Sequence, residues 1–155
     1  MVMTVPPSLP RPLPADLIPH AGPMSLLDEV LDWGETWVEC RSDSHRRPRH
    51  PLARNGRLAA VCAVEYGAQA AAVHGGLVSR KQGGSPQAGF IAAIKNIDLG
   101  VERLDTIEEP LLVRAECLLD LGDNRIFSFV VRTAEHPLVS GRITIMQVPR
   151  QEQEE

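Results

Sequence analysis

The sequence predicts an α+β fold in which a curved antiparallel sheet of about six strands wraps around one long buried helix. Two observations lead to this prediction. Residues 58–77, LAAVCAVEYGAQAAAVHGGL, are almost all small or apolar, and a helix that is apolar on nearly every side is a buried helix. The rest of the chain contains six strand-compatible runs and no second long helical pattern, so only a sheet can cover this helix.

The composition is that of a single globular domain. A chain of 155 residues with 43% hydrophobic and 23% charged residues can build a sizeable core. Its net charge of −4 argues against nucleic-acid binding. The cysteines form no CxxC pair, which predicts reduced, buried thiols in a cytoplasmic protein: Cys40, Cys62 and Cys117. We expect no cofactor, no metal and no membrane segment.

The N-terminal part predicts a tail, a short helical turn and a hairpin. Residues 1–14 contain five prolines and no apolar periodicity, so we expect a disordered, proline-rich tail. Residues 15–18 predict one helical turn. Two strands are predicted at 24–33 and 36–44, with a turn at Gly34 and Glu35 between them.

A long connection and four more strands complete the pattern. The connection, residues 44–57, leads into the helix and contains two prolines and a glycine. After a loop at 83–86, four strand-like runs follow at 87–99, 110–121, 125–134 and 138–148. Gly122, Asp123 and Asn124 predict a tight turn between the second and third of these runs.

This order of elements is that of the hotdog fold, in which one helix is wrapped by a curved sheet. We therefore expect a single hotdog domain at residues 15–149 and a polar tail at residues 150–155. The edge strands of such a sheet are usually paired with a second subunit. The sequence thus predicts a homodimer or a higher oligomer of hotdog dimers, with a heterodimer as a further form.

One carboxylate, Glu65, lies within the apolar helix. A buried charge is costly unless it is paired or used, which makes Glu65 the first candidate functional residue. Gln69 follows one helical turn later on the same face and is expected to orient Glu65. The alternative is a carboxylate that backbone or arginine groups satisfy without any catalytic role.

Two segments resemble a known enzyme family. PHAGPMSLLDEVLDW at 19–33 and VEYGAQAAAVHG at 64–75 resemble the 3-hydroxyacyl-(acyl-carrier-protein) dehydratases, whose hallmarks are PHR-x-PF-LL-DRV and VEAMAQ. The closer resemblance is to the dehydratase-like branch associated with aryl-polyene and related acyl chains, with its PH-x-x-PM-LLD and IEY-x-AQ patterns. It covers about residues 16–148, and the two motifs together are more specific than either alone.

The resemblance implies removal of water from 3-hydroxyacyl thioesters on acyl carrier protein, giving trans-2-enoyl thioesters in fatty-acid or aryl-polyene-like synthesis. This reaction needs a base for the α-proton and an acid for the leaving hydroxyl. In the family, a histidine before the helix and a carboxylate on the helix supply them, in a site shared by two subunits. Glu65 takes the position of the carboxylate, and its motif neighbours Tyr66 and Gln69 are expected to contact substrate.

The loop before the helix departs from the family pattern. The GHFPG-x-P segment that supplies the family's catalytic histidine is absent from residues 45–61. His50 is the nearest positional candidate and His45 the next, whereas His20 matches a histidine of the first motif and is expected to line the pocket. An ordinary loop or capping role is the alternative for each. His74 lies nine residues after Glu65, on the opposite side of the helix, and is expected to be structural.

The same loop predicts a contact with a carrier protein. No Asp or Glu occurs between residues 44 and 64, and five arginines form a local positive patch: Arg46, Arg47, Arg49, Arg54 and Arg57. We expect this arginine patch to receive the phosphopantetheine phosphate and the acidic face of an acyl carrier protein. The alternative is a solvated basic loop without a partner.

Two other functions are compatible with the sequence. In a hotdog acyl thioesterase, Glu65 would activate water instead of assisting dehydration. A non-catalytic acyl-binding hotdog subunit would instead pair with an active paralogue, and the absence of the GHF segment favours this second alternative.

Overall fold

The computed structural model describes residues 12–17, 22–84 and 88–148, and within these ranges six strands form one antiparallel sheet around a long helix. The strands in chain order are β1 Glu29–Trp33, β2 Trp37–Ser42, β3 Gly89–Leu99, β4 Leu111–Asp120, β5 Asn124–Arg132 and β6 Pro137–Gln147. The helices are α1, Pro14–Leu17, and α2, Ala63–Lys81. The predicted fold class is therefore confirmed. Of the predicted tail at 1–14, residues 1–11 lie outside the described residues, and Pro14 is the first residue of α1. The predicted tail at 150–155 also lies outside the described residues.

The sheet has the order β1-β2-β4-β5-β6-β3, with every neighbouring pair antiparallel. The chain thus leaves β2 near one edge, passes through α2 and returns as β3 at the other edge. Strand β3 carries Phe90, Ile94 and Leu99, each about half exposed at 50%, 49% and 50%. An edge strand with exposed apolar side chains is the part of a sheet that most readily pairs with another chain.

Small residues let α2 lie against the sheet at very short distance. A Cβ atom placed on Gly67 would lie 2.5 Å from Cγ of Phe129, a buried residue of β5. A Cβ atom on Gly76 would lie 2.5 Å from the carbonyl oxygen of Leu17 at the end of α1. The glycines that lower the intrinsic helix propensity of this segment are therefore required by the packing on both sides of the helix.

The helix begins later and ends later than the apolar run predicts. Residues 58–60 are held by the loop before β4, because Leu58 N donates to Asp105 Oδ1 at 2.9 Å and Leu104 N donates to Leu58 O at 2.8 Å. A 3₁₀ turn at Ala60–Cys62 then leads into α2. At the other end, α2 continues to Lys81, and Arg80 and Lys81 lie in its last turn, where cations favour the helix dipole.

The connection between β2 and α2 contains a tight hairpin. Asn55 and Gly56 both have positive φ, 52° and 72°, and Arg54 and Arg57 exchange two backbone hydrogen bonds of 2.9 Å. An Asn-Gly pair is the strongest short hairpin signal in a sequence. This turn could therefore have been predicted from the sequence, but it was not. It makes the connection a folded element that presents Arg54 and Arg57 side by side.

Two predictions about the strands and the cysteines need adjustment. Strand β1 begins at Glu29 and not near Met24, because Gly22–Met24 form a 3₁₀ turn. All three cysteines are free, but only Cys40 is buried, and burial raises the pKa of its thiol to about 12. Neither helix in the described part of the chain has the length and hydropathy of a membrane span.

The close approach of α2 and β5 predicts that Gly67→Ala destabilises the fold. The added methyl group overlaps the Phe129 ring, and overpacking of this kind costs up to about 3 kcal/mol, of which a helix-propensity gain of about 1 kcal/mol from replacing Gly offsets a part. For a net loss of about 1–2 kcal/mol, we expect the melting temperature to fall by roughly 2–8 °C, measured by thermal denaturation of the purified variant.

Gly75→Ala is the matched control on the same helix. A Cβ atom there would lie 3.1 Å from Nη1 of Arg125, the far end of a flexible side chain that can move aside. Its melting temperature should stay level or rise slightly. Equal stability losses in the two variants would contradict the packing argument.

Candidate active site

A groove of about 540 Å³ follows one side of α2. The helix is half-buried along this side, at Glu65, Ala68, Ala72, Gly75 and Ser79, a spacing of three or four residues that places these side chains on one face. The opposite walls come from the first residues of β3 and β5 and the last residues of β6. The small residues that let the helix approach the sheet thus also leave this open channel beside it.

Gln69 holds the carboxylate at one end of the groove. Its Oε1 accepts a hydrogen bond from Leu26 N at 2.9 Å, and its Nε2 donates to Met24 O at 2.6 Å. These two backbone groups leave only one orientation for the amide. The second N–H of Nε2 is thereby directed at Glu65 Oε1, 3.2 Å away. This hydrogen bond is the contact that the predicted orienting role of Gln69 requires.

Glu65 is also favoured by its place in the helix. It lies in the first turn of α2, where the unsatisfied backbone N–H groups and the helix dipole stabilise a negative charge. Its side chain lines the groove beside Ala68 and Gln69. The site thus presents a carboxylate at one end of a channel that is lined by both apolar and polar side chains.

His50 belongs to a separate hydrogen-bond chain in the core. Leu52 N donates to His50 Nδ1 at 3.0 Å, so the proton of the neutral ring is on Nε2, which donates to the Tyr66 hydroxyl at 3.0 Å. The chain continues from Tyr66 to Ser44 at 2.6 Å, from Ser44 to Ser42 at 2.8 Å, and ends at the carbonyl oxygen of Leu26 at 2.5 Å. Each group donates to the next in one direction.

This series of hydrogen bonds engages both ring nitrogens of His50 and the hydroxyl group of Tyr66. Both side chains are buried, and burial raises the pKa of Tyr66 to about 12 and lowers the pKa of His50. Neither residue is among the described residues that line the groove. The structure therefore separates Tyr66 and His50 from the groove that Glu65 lines, although Tyr66 follows Glu65 directly in sequence.

His45 lines a second, smaller cavity of about 210 Å³, together with His50, Arg46 and Arg47. Its Nε2 lies 2.9 Å from the carbonyl oxygen of Ile107, which fixes the proton on that nitrogen. Its Nδ1 is buried without a hydrogen-bond partner among the described residues, and burial lowers the pKa of the ring. His45 is thus a neutral imidazole with an unused acceptor.

The other histidines have different positions. His20 lies outside the described residues. His74 Nε2 lies 3.2 Å from the carbonyl oxygen of Gly34 and 2.9 Å from that of Glu35, and its ring meets Phe127 edge-on. His74 therefore ties α2 to the turn between β1 and β2, which is the structural role that the sequence predicts.

All five residues of the arginine patch are exposed. Arg46 Nη1 donates to Glu108 O at 3.0 Å, and Arg47 lies 3.6 Å from Asp28 in a partly exposed ion pair. Arg54 and Arg57 flank the Asn55-Gly56 turn. Two residues of the patch, Arg46 and Arg47, line the second cavity, whereas Glu65 lines the first. Within the described ranges, no group of His, Cys, Asp and Glu side chains has the arrangement of a metal site.

Comparison with protein families decides the relationship of this chain. A family model described as ApeP-like, the ApeP dehydratase, matches residues 12–155. The chain belongs to the ApeP-like dehydratase family. A comparison with curated proteins gave no match. Membership of a dehydratase family agrees with the predicted resemblance and with the predicted enzyme class.

Solved structures show the same fold as this ApeP-like chain. The dehydratase heterocomplex ApeI:P from Xenorhabdus doucetiae has a TM-score of 0.81 at 22% identity, covering 90% of this chain and 93% of the other. A thioesterase from Haemophilus influenzae has a TM-score of 0.56 at 16% identity, covering 82% of each chain. A hypothetical thioesterase protein with coenzyme A from Streptococcus pneumoniae has a TM-score of 0.56 at 10% identity, covering 77% of this chain and 84% of the other.

The buried histidines predict that this ApeP-like protein loses stability in mild acid. Burial lowers the pKa of His45, His50 and His74, so the unfolded chain binds protons at pH values where the folded chain does not. By linkage, the free energy of unfolding falls as the pH drops below the unfolded-state value of about 6.5, until the folded-state pKa values are passed. Urea denaturation at about pH 8 and about pH 5.5 measures this loss.

His136 provides the control for this experiment because it is exposed. His136→Asn should keep the full loss of stability between the two pH values, whereas His74→Asn should reduce it. A free energy of unfolding that does not change between the two pH values would contradict the burial argument.

Proposed function

We propose that the protein removes water from 3-hydroxyacyl thioesters borne by an acyl carrier protein, giving trans-2-enoyl thioesters in aryl-polyene-type or fatty-acid-type chain synthesis. The observation that carries this proposal is the Glu65 carboxylate, held by Gln69 at one end of a groove along α2. Family membership supports the reaction class. A groove of this kind suits an acyl chain whose reacting carbons lie at the carboxylate.

The reaction needs a base and an acid at adjacent carbons. The bond between C2 and its proton breaks, a C2–C3 double bond forms, and the C3–oxygen bond breaks as the hydroxyl leaves with a proton as water. We assign the proton exchange at the hydroxyl to Glu65. Gln69 acts by positioning, because its amide is fixed by Met24 and Leu26 and in turn directs the Glu65 carboxylate.

A histidine is proposed as the second acid–base group. His50 has both ring nitrogens engaged by Leu52 and Tyr66, which favours a role in holding the loop. His20 precedes Met24 by four residues, and the Met24 carbonyl is bonded to Gln69 beside Glu65, which makes His20 the first candidate. His45 is the second candidate because its Nδ1 is unused.

We propose that the site is completed by a second hotdog subunit. The support is the exposed apolar edge of β3, which forms part of the groove wall through Phe90, and the heterocomplex in which the ApeI:P dehydratase was solved. Because β3 lines the groove and is also a free edge of the described sheet, pairing at this edge would cover the channel. A homodimer and a heterodimer with a related subunit both satisfy this arrangement.

Thioester hydrolysis is the second candidate function, and thioesterases among the similar structures favour it. In that reaction Glu65 would act as the base for a water molecule that attacks the thioester carbonyl. The two reactions give different products, since dehydration leaves the thioester intact and creates a conjugated enoyl absorbance, whereas hydrolysis releases a free thiol. One assay on a 3-hydroxyacyl thioester with both readouts separates them.

Glu65→Gln should lower the dehydration rate by about 100-fold or more, because loss of a positioned acid–base group typically costs 10²–10⁴-fold. Enoyl absorbance and thiol release are measured for the protein alone and after mixing with its hotdog partner subunit. Glu109→Gln, at an exposed position, is the matched control and should keep full activity. Dehydration that survives Glu65→Gln would overturn the site, and activity that needs only the partner's carboxylate would identify a non-catalytic subunit.

The arginine patch is proposed to bind the carrier protein and the phosphopantetheine phosphate. Its support is five exposed cations in one connection of the chain, of which Arg46 and Arg47 line the second cavity. Guanidinium groups bind phosphate oxygens in a bidentate manner. Exposed charges also steer a partner of opposite sign.

Replacing Arg46, Arg47 and Arg49 together with Ala should weaken carrier-protein binding by about tenfold or more and reduce its salt dependence. Calorimetry with acyl carrier protein at two salt concentrations measures both effects. The control triple Arg80, Lys81 and Arg142→Ala removes the same charge from exposed positions elsewhere and should bind normally. Equal weakening in the two triples would show a net-charge effect without a docking patch.

A further inference from the structure

The groove has polar side chains in two separate places. Glu65 and Gln69 form one end, and Ala68, Ala72 and Phe127 line the stretch that follows. Farther from Glu65, the lining again includes polar side chains, Ser79, Gln82, Arg125 and Gln147, with Ile145 opposite Arg125 in the neighbouring strand. A channel that received only hydrocarbon beyond the thioester would gain nothing from a cation and three hydrogen-bonding groups at its far end.

Arg125 lies at the start of β5 and reaches over α2. A Cβ atom on Gly75 would lie 3.1 Å from Arg125 Nη1, so the guanidinium group lies directly beside this glycine. Gly75 follows Glu65 by ten residues, which corresponds to about 15 Å along a helix. The absence of a side chain at Gly75 gives the guanidinium its place in the groove wall.

The charge of Arg125 is only partly matched within the protein. Its Nε lies 3.4 Å from Asp120 Oδ1, and this nitrogen is buried without a hydrogen-bond partner among the described residues. The same Asp120 oxygen already accepts a hydrogen bond from Gly122 N at 2.9 Å. The Arg125 side chain is 24% exposed against 54% for Asp120. A guanidinium with five donors is always charged, so this group has donors to spare for an oxygen in the groove.

We propose that Arg125 determines specificity by binding an oxygen acceptor, a hydroxyl or a carboxylate, at the end of the acyl chain far from the thioester. This inference rests on the proposed function, because it names the class of acyl chain that the same groove selects. An extended chain advances about 3.3–3.6 Å per three bonds, so about a dozen bonds join the reacting carbons beside Glu65 to the guanidinium. A methyl-ended chain of that length would instead leave the guanidinium of Arg125 facing hydrocarbon, with its Nε still unbonded.

Binding tests the inference independently of turnover. The ligands are saturated acyl-pantetheine thioesters of equal length, about twelve chain bonds, that end in a methyl, a hydroxyl or a carboxylate group and lack the 3-hydroxyl. Calorimetry with the full chain, in complex with its partner subunit where one is required, should give about tenfold or greater preference for an oxygen-ended ligand over the methyl-ended one. The hydroxyl and carboxylate arms identify which oxygen is bound.

Variants of Arg125 connect the preference to this side chain. Arg125→Gln should bring the affinity ratio close to one, mainly by weakening the oxygen-ended ligands. Arg125→Lys keeps the charge near Asp120 and should retain part of the preference, and it serves as the second variant if Arg125→Gln lowers the melting temperature. Arg142→Gln, at an exposed position outside the groove, should leave the ratio unchanged.

The outcomes for the two proposals differ. Equal affinity for all three ligands in the unmodified protein, or a preference that survives in both Arg125 variants, overturns the inference whether or not the protein dehydrates its substrate. A clear preference combined with no enoyl product from any 3-hydroxyacyl thioester, short chains included, overturns the proposed function and leaves the binding inference standing.

Discussion

The side-chain amide of Gln69 is the interaction on which the site depends. It accepts from Leu26 N, donates to Met24 O and donates to Glu65 Oε1, so it joins the segment before β1 to the helix and to the carboxylate. The two backbone groups belong to the segment between the 3₁₀ turn at Gly22–Met24 and the start of β1 at Glu29, where no sheet ladder satisfies them. The same amide therefore satisfies the irregular backbone of this segment and orients the Glu65 carboxylate.

A second set of hydrogen bonds secures the other side of the helix. The one-way chain from His50 through Tyr66, Ser44 and Ser42 ends on the carbonyl oxygen of Leu26, whose own N–H is bonded to Gln69. Both networks thus meet at one residue of the segment before β1. The helix acts as the frame to which both loops are attached, and its two faces differ: one is tied into the core by neutral groups, and the other carries the carboxylate.

Features that depend on residues close together in the sequence could be predicted, whereas contacts between residues far apart in the sequence could not. The buried helix, the strands and the Glu65–Gln69 pair depend on periods of two and 3.6 residues, which are local and were predicted correctly. The Asn55-Gly56 hairpin was also local and could have been found from its residues. The partners of His45 and His50 could not, because Ile107 is 62 residues from His45 and Tyr66 meets His50 only through packing of α2 on the sheet. Arg125 was missed for the same reason, since nothing near it in sequence indicates that it lies beside Gly75.

Close packing of α2 explains why few positions on this helix can carry a functional side chain. Gly67 faces Phe129 and Gly76 faces Leu17 at distances that exclude any larger side chain, so these residues serve the core. On the open side of the same helix, Ala68, Ala72 and Gly75 are small because a channel needs volume there. A single run of small residues thus serves two purposes. It allows close contact with the sheet on one face of the helix and leaves an open groove on the other. The two charged groups of the groove come from longer side chains: Glu65 on the helix and Arg125 beside Gly75.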